Sequence, residues 1–151
     1  MPSASLNPTR IEELCLVHGL RLTGPRRVIA RILSAAGDHP DVEEVFRRAI
    51  EIDPRIALST VYRTIKLFAG HGMLERHDFS HDRLPRARFE PASGDHHDHL
   101  IDTETGEVIE FCSREIEVLQ ERIAIELGYD LTGHRLQLFG TRRKSRPRRQ
   151  A

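Results

Sequence analysis

The sequence predicts an α+β fold: an N-terminal winged helix-turn-helix DNA-binding domain followed by a small α/β dimerisation domain. Three observations predict it. Four amphipathic helical segments come first, the hydrophobic period changes from helical to strand-like at "MLERHDF", and beyond Pro91 the order becomes strand, strand, helix, strand. The expected boundaries are 1–88 for the first domain, 89–140 for the second and 141–151 for a basic, disordered tail.

The first helix is expected to open at Asn7-Pro8, as cap and first helical residue, and to close at Gly19. Ile11, Leu14, Cys15 and His18 follow the spacing of one buried face. Thr23-Gly24-Pro25 starts a second helix with Val28, Ile29, Ile32 and Leu33 inward. Asp41, with Glu44 three residues on, reads as the capping box of a third helix that buries Val42, Val45, Phe46, Ala49 and Ile50. A Ser59 cap begins a fourth, with Val61, Thr64, Ile65 and Phe68 inward, and Gly70 and Gly72 end it. "MLERHDF" and "RARFE" are strand candidates around the turn segment "SHDRLP". The outward side of the fourth helix would show Ser59, Thr60, Tyr62, Arg63 and Lys66. Arg and Lys reach phosphates or guanine edges, and an aromatic ring packs on a thymine methyl. One such helix alone also fits a solvated face, but the full order of elements favours DNA.

In the second domain "HHDHLID" and "EVIEF" are strand-like runs around the turn "TETG". "SREIEVLQERIAIELG" is a helix capped by Ser113 with Ile116, Leu119, Ile123 and Leu127 inward, and "HRLQLFG" is a last strand. A unit of about fifty residues is small for independent stability, which points to a homodimer.

Composition narrows the function classes. No apolar run of about eighteen residues and no charged-then-apolar leader are present, so neither a membrane span nor a secretory signal is expected. Only Cys15 and Cys112 occur, in no CxxC pairing, which points to a reducing cytoplasm and away from a disulfide scaffold or thiolate clamp. Net charge is zero but unevenly spread. Residues 1–84 hold 12 Lys/Arg against 11 Asp/Glu, residues 85–140 hold 5 against 12, and the tail holds 6 against none. An acidic, histidine-rich block beside a neutral one suggests that cations concern the second domain.

The densest feature is His96-His97-Asp98-His99. On a strand, successive side chains alternate, so His97 and His99 share one side and His96 and Asp98 the other. One short stretch can seed two metal sites, each needing ligands from elsewhere. A polar strand edge with solvated histidines also fits the stretch taken alone.

The sequence resembles the ferric uptake regulator family of metal-dependent bacterial repressors from about Ile11 to Gly140. The segments that carry the likeness are "GLRLTGPRRVIARIL", "DHPDVEEVF", "ALSTVYRT", "HHDHLID", "GEVIEF", "EIEVLQERIA" and "GHRLQLFG", in family order and spacing. It looks most similar to the alphaproteobacterial branch of iron- or manganese-responsive members. The resemblance implies a sensing site of His39, Glu90, His97 and His99, with Glu90 at the domain hinge. It implies a second site of His96, Asp98, Glu117 and His134. It also carries Tyr62 and Arg63 over as recognition-helix contacts and Arg21 as a basic residue directed at the minor groove. Where many members hold a structural zinc with a CxxC, this chain has Asp102 and Thr105, so no four-cysteine zinc is expected. The segment "HDRLPRARFE" looks longer than the usual wing, and the basic tail has no family counterpart.

Imidazole and carboxylate without thiolate suit Fe2+, Mn2+, Co2+ or Zn2+ and disfavour Cu+. The resemblance implies Fe2+ or Mn2+ in the cell, with Zn2+ or Co2+ able to substitute. The expected function is a cytoplasmic homodimeric repressor that binds an AT-rich inverted-repeat operator in double-stranded DNA when loaded with metal, controlling metal uptake genes. Membrane and small-molecule substrate are not expected partners. A zinc- or peroxide-responsive member of the same family is the near alternative. Further off lie a metal-dependent hydrolase, for which no open coordination position or spare general base is evident, and a metal store, which leaves the winged helix unexplained.

Overall fold

The computed structural model describes residues 7–79, 87–92 and 95–144. Two compact units divide the chain, Met1–Gly94 and Asp95–Ala151.

The first unit holds α1 (Arg10–Val17), α2 (Gly24–Ala35), α3 (Val42–Ile52), α4 (Leu58–Gly70), β1 (Leu74–Asp78) and β2 (Ala87–Pro91). The helical faces read from the sequence meet in one core of Ile11, Cys15, Ile29, Ile32, Leu33, Val45, Ala49, Val61, Ile65 and Phe68, closed by Met73, Leu74 and Phe89 from the strands. β1 and β2 pair antiparallel, with Glu75 opposite Glu90 and His77 opposite Arg88. The turn segment "SHDRLP" and the wing length inferred from it lie outside the described residues.

Three local expectations are corrected. α1 is capped by Thr9, not Asn7, because Thr9 and Glu12 form a reciprocal capping box that the Asn7-Pro8 pair cannot offer. The helix ends at Val17, so His18 is an exposed cap residue and Glu12 takes the buried place on that face. Burial alone would raise the Glu12 carboxyl. Hydrogen bonds from Thr9 and Arg31 outweigh it and hold the group below its ordinary value. At α4 the cap residue is Ala57 with no side-chain bond, and Ser59 lies inside the first turn. Buried Ile56 fixes the entry there, and the Ala57 carbonyl accepts from the Thr60 and Val61 amides. Asp41 does cap α3 by accepting from the Glu44 amide. The Glu44 carboxylate, however, pairs with Arg47 and Arg48.

The second unit holds β3 (Asp98–Asp102), β4 (Val108–Phe111), α5 (Arg114–Glu126) and β5 (Gln137–Gly140). The sheet order is β4-β3-β5, antiparallel to β4 and parallel to β5. Ser113 caps α5 as the sequence indicates. The strand expected over "HHDHLID" begins only at Asp98, so His96 and His97 precede it, and His134 likewise precedes β5. The inward face expected for α5 is also corrected. Leu119 and Ile123 are 44% and 46% exposed, Leu127 more so, and no residue of the helix is buried. Among the described residues nothing buries that apolar face; the 3.6-residue period marks a face to be buried without naming what buries it.

Candidate metal sites

In the second unit three ligand atoms converge. His96 Nε2 lies 2.8 Å from His134 Nε2, His134 Nε2 3.1 Å from Asp98 Oδ1, and His96 Nε2 3.3 Å from the same oxygen. Local structure explains the meeting. Asp98 is the first residue of β3, and the parallel pairing of β3 with β5 places His99 opposite Gln137, with the His99 amide donating to the Leu136 carbonyl at 3.2 Å. His134, just before β5, is thereby carried alongside Asp98. The Cys112 thiol donates to the His96 carbonyl at 3.0 Å, which holds the backbone ahead of the strand.

This cluster fits a divalent ion. Asp98 is buried, and two imidazole nitrogens face each other across a distance that lets only one carry the intervening proton. An ion between the three atoms satisfies all of them at once. Ligand atoms around tetrahedral zinc lie roughly 3.4 Å apart, close to the observed separations. Glu117 is exposed on α5 and is not brought into this cluster, which among the described residues comprises His96, Asp98 and His134.

His97 and His99 form a separate pair in the same unit, ring centroids 4.9 Å apart and planes at 76°. His99 is buried and stands directly opposite Glu110 on β4, whose Oε1 lies 3.8 Å from His97 Nε2. The face alternation read from the sequence thus survives although His96 and His97 lie outside the strand.

The first unit has its own imidazole–carboxylate cluster. His39 sits in the α2–α3 connection with φ of 51°, in the left-handed region that non-glycine residues seldom adopt. The Phe89 amide donates to the Pro40 carbonyl and Asp41 bridges Arg88, pinning this connection along β2. His39 Nε2 consequently lies 2.7 Å from Glu90 Oε2, and His77 Nε2 lies 2.5 Å from Glu90 Oε1. His39 and Glu90 are 3% and 6% exposed. Burial opposes ionisation of Glu90, yet hydrogen bonds from His39 and His77 outweigh it and hold the carboxyl far below its ordinary range. Glu90 is a residue of β2 and lies within the first unit, where the sequence reading put it at a hinge.

Sequence reasoning missed Glu110, His77 and Glu75. Glu75 and His77 are two apart in "LERHD", one face of a strand, and Glu110 is the acid of "VIEF"; both signals exist but depend on strand register.

Of the residues read as facing DNA, Ser59, Tyr62 and Arg63 are exposed on α4 together with Lys66, and Thr60 is half-buried. Val61, Thr64, Ile65 and Phe68 hold the opposite side of the helix in the core. Arg21 is exposed in the α1–α2 connection, where its carbonyl accepts from Arg26 at 2.7 Å. No described helix is long and apolar enough to cross a membrane.

Comparison with known proteins covers both units. The Ferric uptake regulator family profile matches residues 17–139. A ferric uptake regulation protein of Rhizobium leguminosarum bv. viciae is 58% identical over 130 residues, covering 86% of this chain and 89% of that protein. Among solved structures, a zinc-bound manganese uptake regulator superposes with a TM-score of 0.76 at 56% identity, covering 87% of this chain and 98% of that one. The Vibrio cholerae ferric uptake regulator gives 0.75 at 35% identity, covering 85% and 97%. The chain belongs to the ferric uptake regulator family, a family of metal-responsive transcription regulators.

Proposed function

We propose that this chain is a cytoplasmic homodimeric repressor of metal uptake genes that binds an AT-rich inverted-repeat operator when loaded with Fe2+ or Mn2+. One observation carries the reading. Two buried carboxylates, Glu90 and Asp98, each have two imidazole nitrogens within 3.3 Å, in a chain whose α4 turns Tyr62, Arg63 and Lys66 to solvent. Nitrogen and oxygen donors without thiolate select Fe2+, Mn2+, Co2+ or Zn2+ over Cu+. Relatives named for iron regulation and for manganese uptake support iron and manganese within that set.

The sensing ligands in this proposal are His39 and Glu90 from the first unit with His97 and His99 from the second. An ion held by all four favours one arrangement of the two units, so metal and DNA strengthen each other's binding. The second site is His96, Asp98 and His134; Glu117, exposed on α5 and outside that cluster, is the further ligand that the family resemblance implies. The proposed DNA contacts are Arg21, Ser59, Thr60, Tyr62 and Arg63. Exposed Leu119, Ile123, Ile125 and Leu127 on α5 support dimerisation through that helix.

Titrating labelled operator DNA with the metal-free chain and with the Mn2+-loaded chain tests the proposal. Tight binding is expected only with metal. Equal affinity in both, once metal removal is verified by elemental analysis, contradicts it.

A further inference from the structure

We propose that His77 is a positioning residue for the sensing metal: it holds one oxygen of Glu90 so that the other is presented beside His39. The inference rests on the assignment of His39 and Glu90 as metal ligands. Its geometry lies entirely within the first unit.

Glu90 divides its carboxylate between two rings. Oε2 faces His39 Nε2 at 2.7 Å, and Oε1 faces His77 Nε2 at 2.5 Å. An ionised carboxylate only accepts hydrogen bonds, so the proton on the second contact belongs to His77 Nε2. Glu75 lies directly across the strand pair from Glu90, but its Oε2 is 3.6 Å from the same nitrogen, beyond hydrogen-bond range. Of these two carboxylates, His77 Nε2 is held by Glu90. Its ring is fixed in turn. Phe79 stacks on it with centroids 5.0 Å apart and planes within 9°, and the same phenyl ring meets His39 edge-on at 5.6 Å. One aromatic side chain thus sets the orientation of both imidazoles that flank the carboxylate.

The division has a chemical consequence. A metal held by His39 Nε2 and Glu90 Oε2 would leave the His77 contact to Oε1 in place. Glu90 would then offer one oxygen to the metal while His77 holds the other. Partners of this kind orient a ligating carboxylate, and their loss typically costs about 10–100-fold in metal affinity. A cross-strand pair of carboxylates such as Glu75 and Glu90 is also unfavourable alone, and the imidazole between them offsets the repulsion.

The test titrates the metal-free full chain with Co2+, whose visible absorption reports the ligand set, for the natural sequence, His39→Ala, His77→Ala and His77→Gln. His39→Ala identifies the sensing component as the Co2+ absorption it removes. His77→Ala is expected to weaken that component by about 10–100-fold with unchanged stoichiometry and band positions. His77→Gln, whose amide N–H can still donate to Oε1, is expected to recover most of the loss. Melting of the metal-free variants is expected to show all of them folded. Normal Co2+ affinity in His77→Ala, against a clear loss in His39→Ala, overturns the positioning role alone. Shifted bands in His77→Ala with no recovery in His77→Gln make His77 a ligand and also overturn it. Undiminished Co2+ absorption in His39→Ala overturns the ligand assignment, and this inference with it.

Discussion

His134 Nε2 lies 3.1 Å from the buried Oδ1 of Asp98, although 36 positions separate the two residues in the chain. The parallel pairing of β3 with β5 closes that distance, so an ion bound here would tie β3 to the segment that leads into β5. An ion bound to the folded cluster and not to the unfolded chain stabilises by mass action, about 2.7 kcal/mol at a hundredfold excess over its Kd. Asp98→Ala and His96→Ala should therefore lower the melting temperature chiefly when Mn2+ or Zn2+ is present. Thermal melts with and without chelator check this; an equal loss in both conditions contradicts a metal role for the cluster.

His97→Ala and His99→Ala should behave differently from those variants. They remove proposed sensing ligands, so metal-induced operator binding should disappear while the metal-dependent stabilisation from His96, Asp98 and His134 persists. Operator affinity and melting on all four variants make the comparison. If His96 and His97 behave alike and His99 does not, the stretch forms a single site.

Arg63→Ala should cost operator discrimination about 1–3 kcal/mol if the guanidinium pairs with a base edge. Arg21→Ala should act on AT-rich flanks, where a narrow minor groove attracts arginine. Random-sequence selection with each variant separates these outcomes. Loss of specific and nonspecific binding in equal measure would mean that both residues touch phosphate only.

Replacing Leu119 or Ile123 by Glu should convert the proposed dimer to monomer at micromolar concentration, read by sedimentation. Each side chain is nearly half exposed in the single chain, so its loss removes little from the chain's own core. Unchanged sedimentation places the dimer contact elsewhere.

A pH prediction follows from α3. Hydrogen bonds from Arg47 and Arg48 lower the Glu44 carboxyl to about 2. A folded-state pKa below the unfolded one contributes stability that is present above the unfolded value near 4.5 and lost as pH falls toward 2. The melting difference between the natural sequence and Glu44→Gln should therefore shrink across that window. A difference that stays constant from pH 6 to pH 2 contradicts the ion network.

Much of this was legible in the sequence because helix cores follow a short period. Ile29, Ile32 and Leu33, or Val61, Thr64, Ile65 and Phe68, are buried wherever the first unit's other helices pack. The caps were harder, since Thr9 and Asn7 both suit a helix start and only the reciprocal bond to Glu12 decides between them. The α5 face could be identified but not assigned a cover, because periodicity does not say whether an apolar stripe packs within a chain or against another. Partners across strands were least legible. Glu110 meets His97 and His99, and His77 meets Glu90, through register, which a one-residue slip would undo.

If metal and operator bind the same arrangement of the chain, linkage fixes the relation between their affinities. Whatever factor Mn2+ adds to operator affinity, operator must add to Mn2+ affinity. Measuring the Mn2+ Kd by competition with a chelating indicator, with and without saturating operator DNA, tests this most directly. Tightening by roughly 5–150-fold is expected, equal to the gain in operator affinity on adding Mn2+. A Mn2+ affinity that the operator leaves unchanged would contradict it.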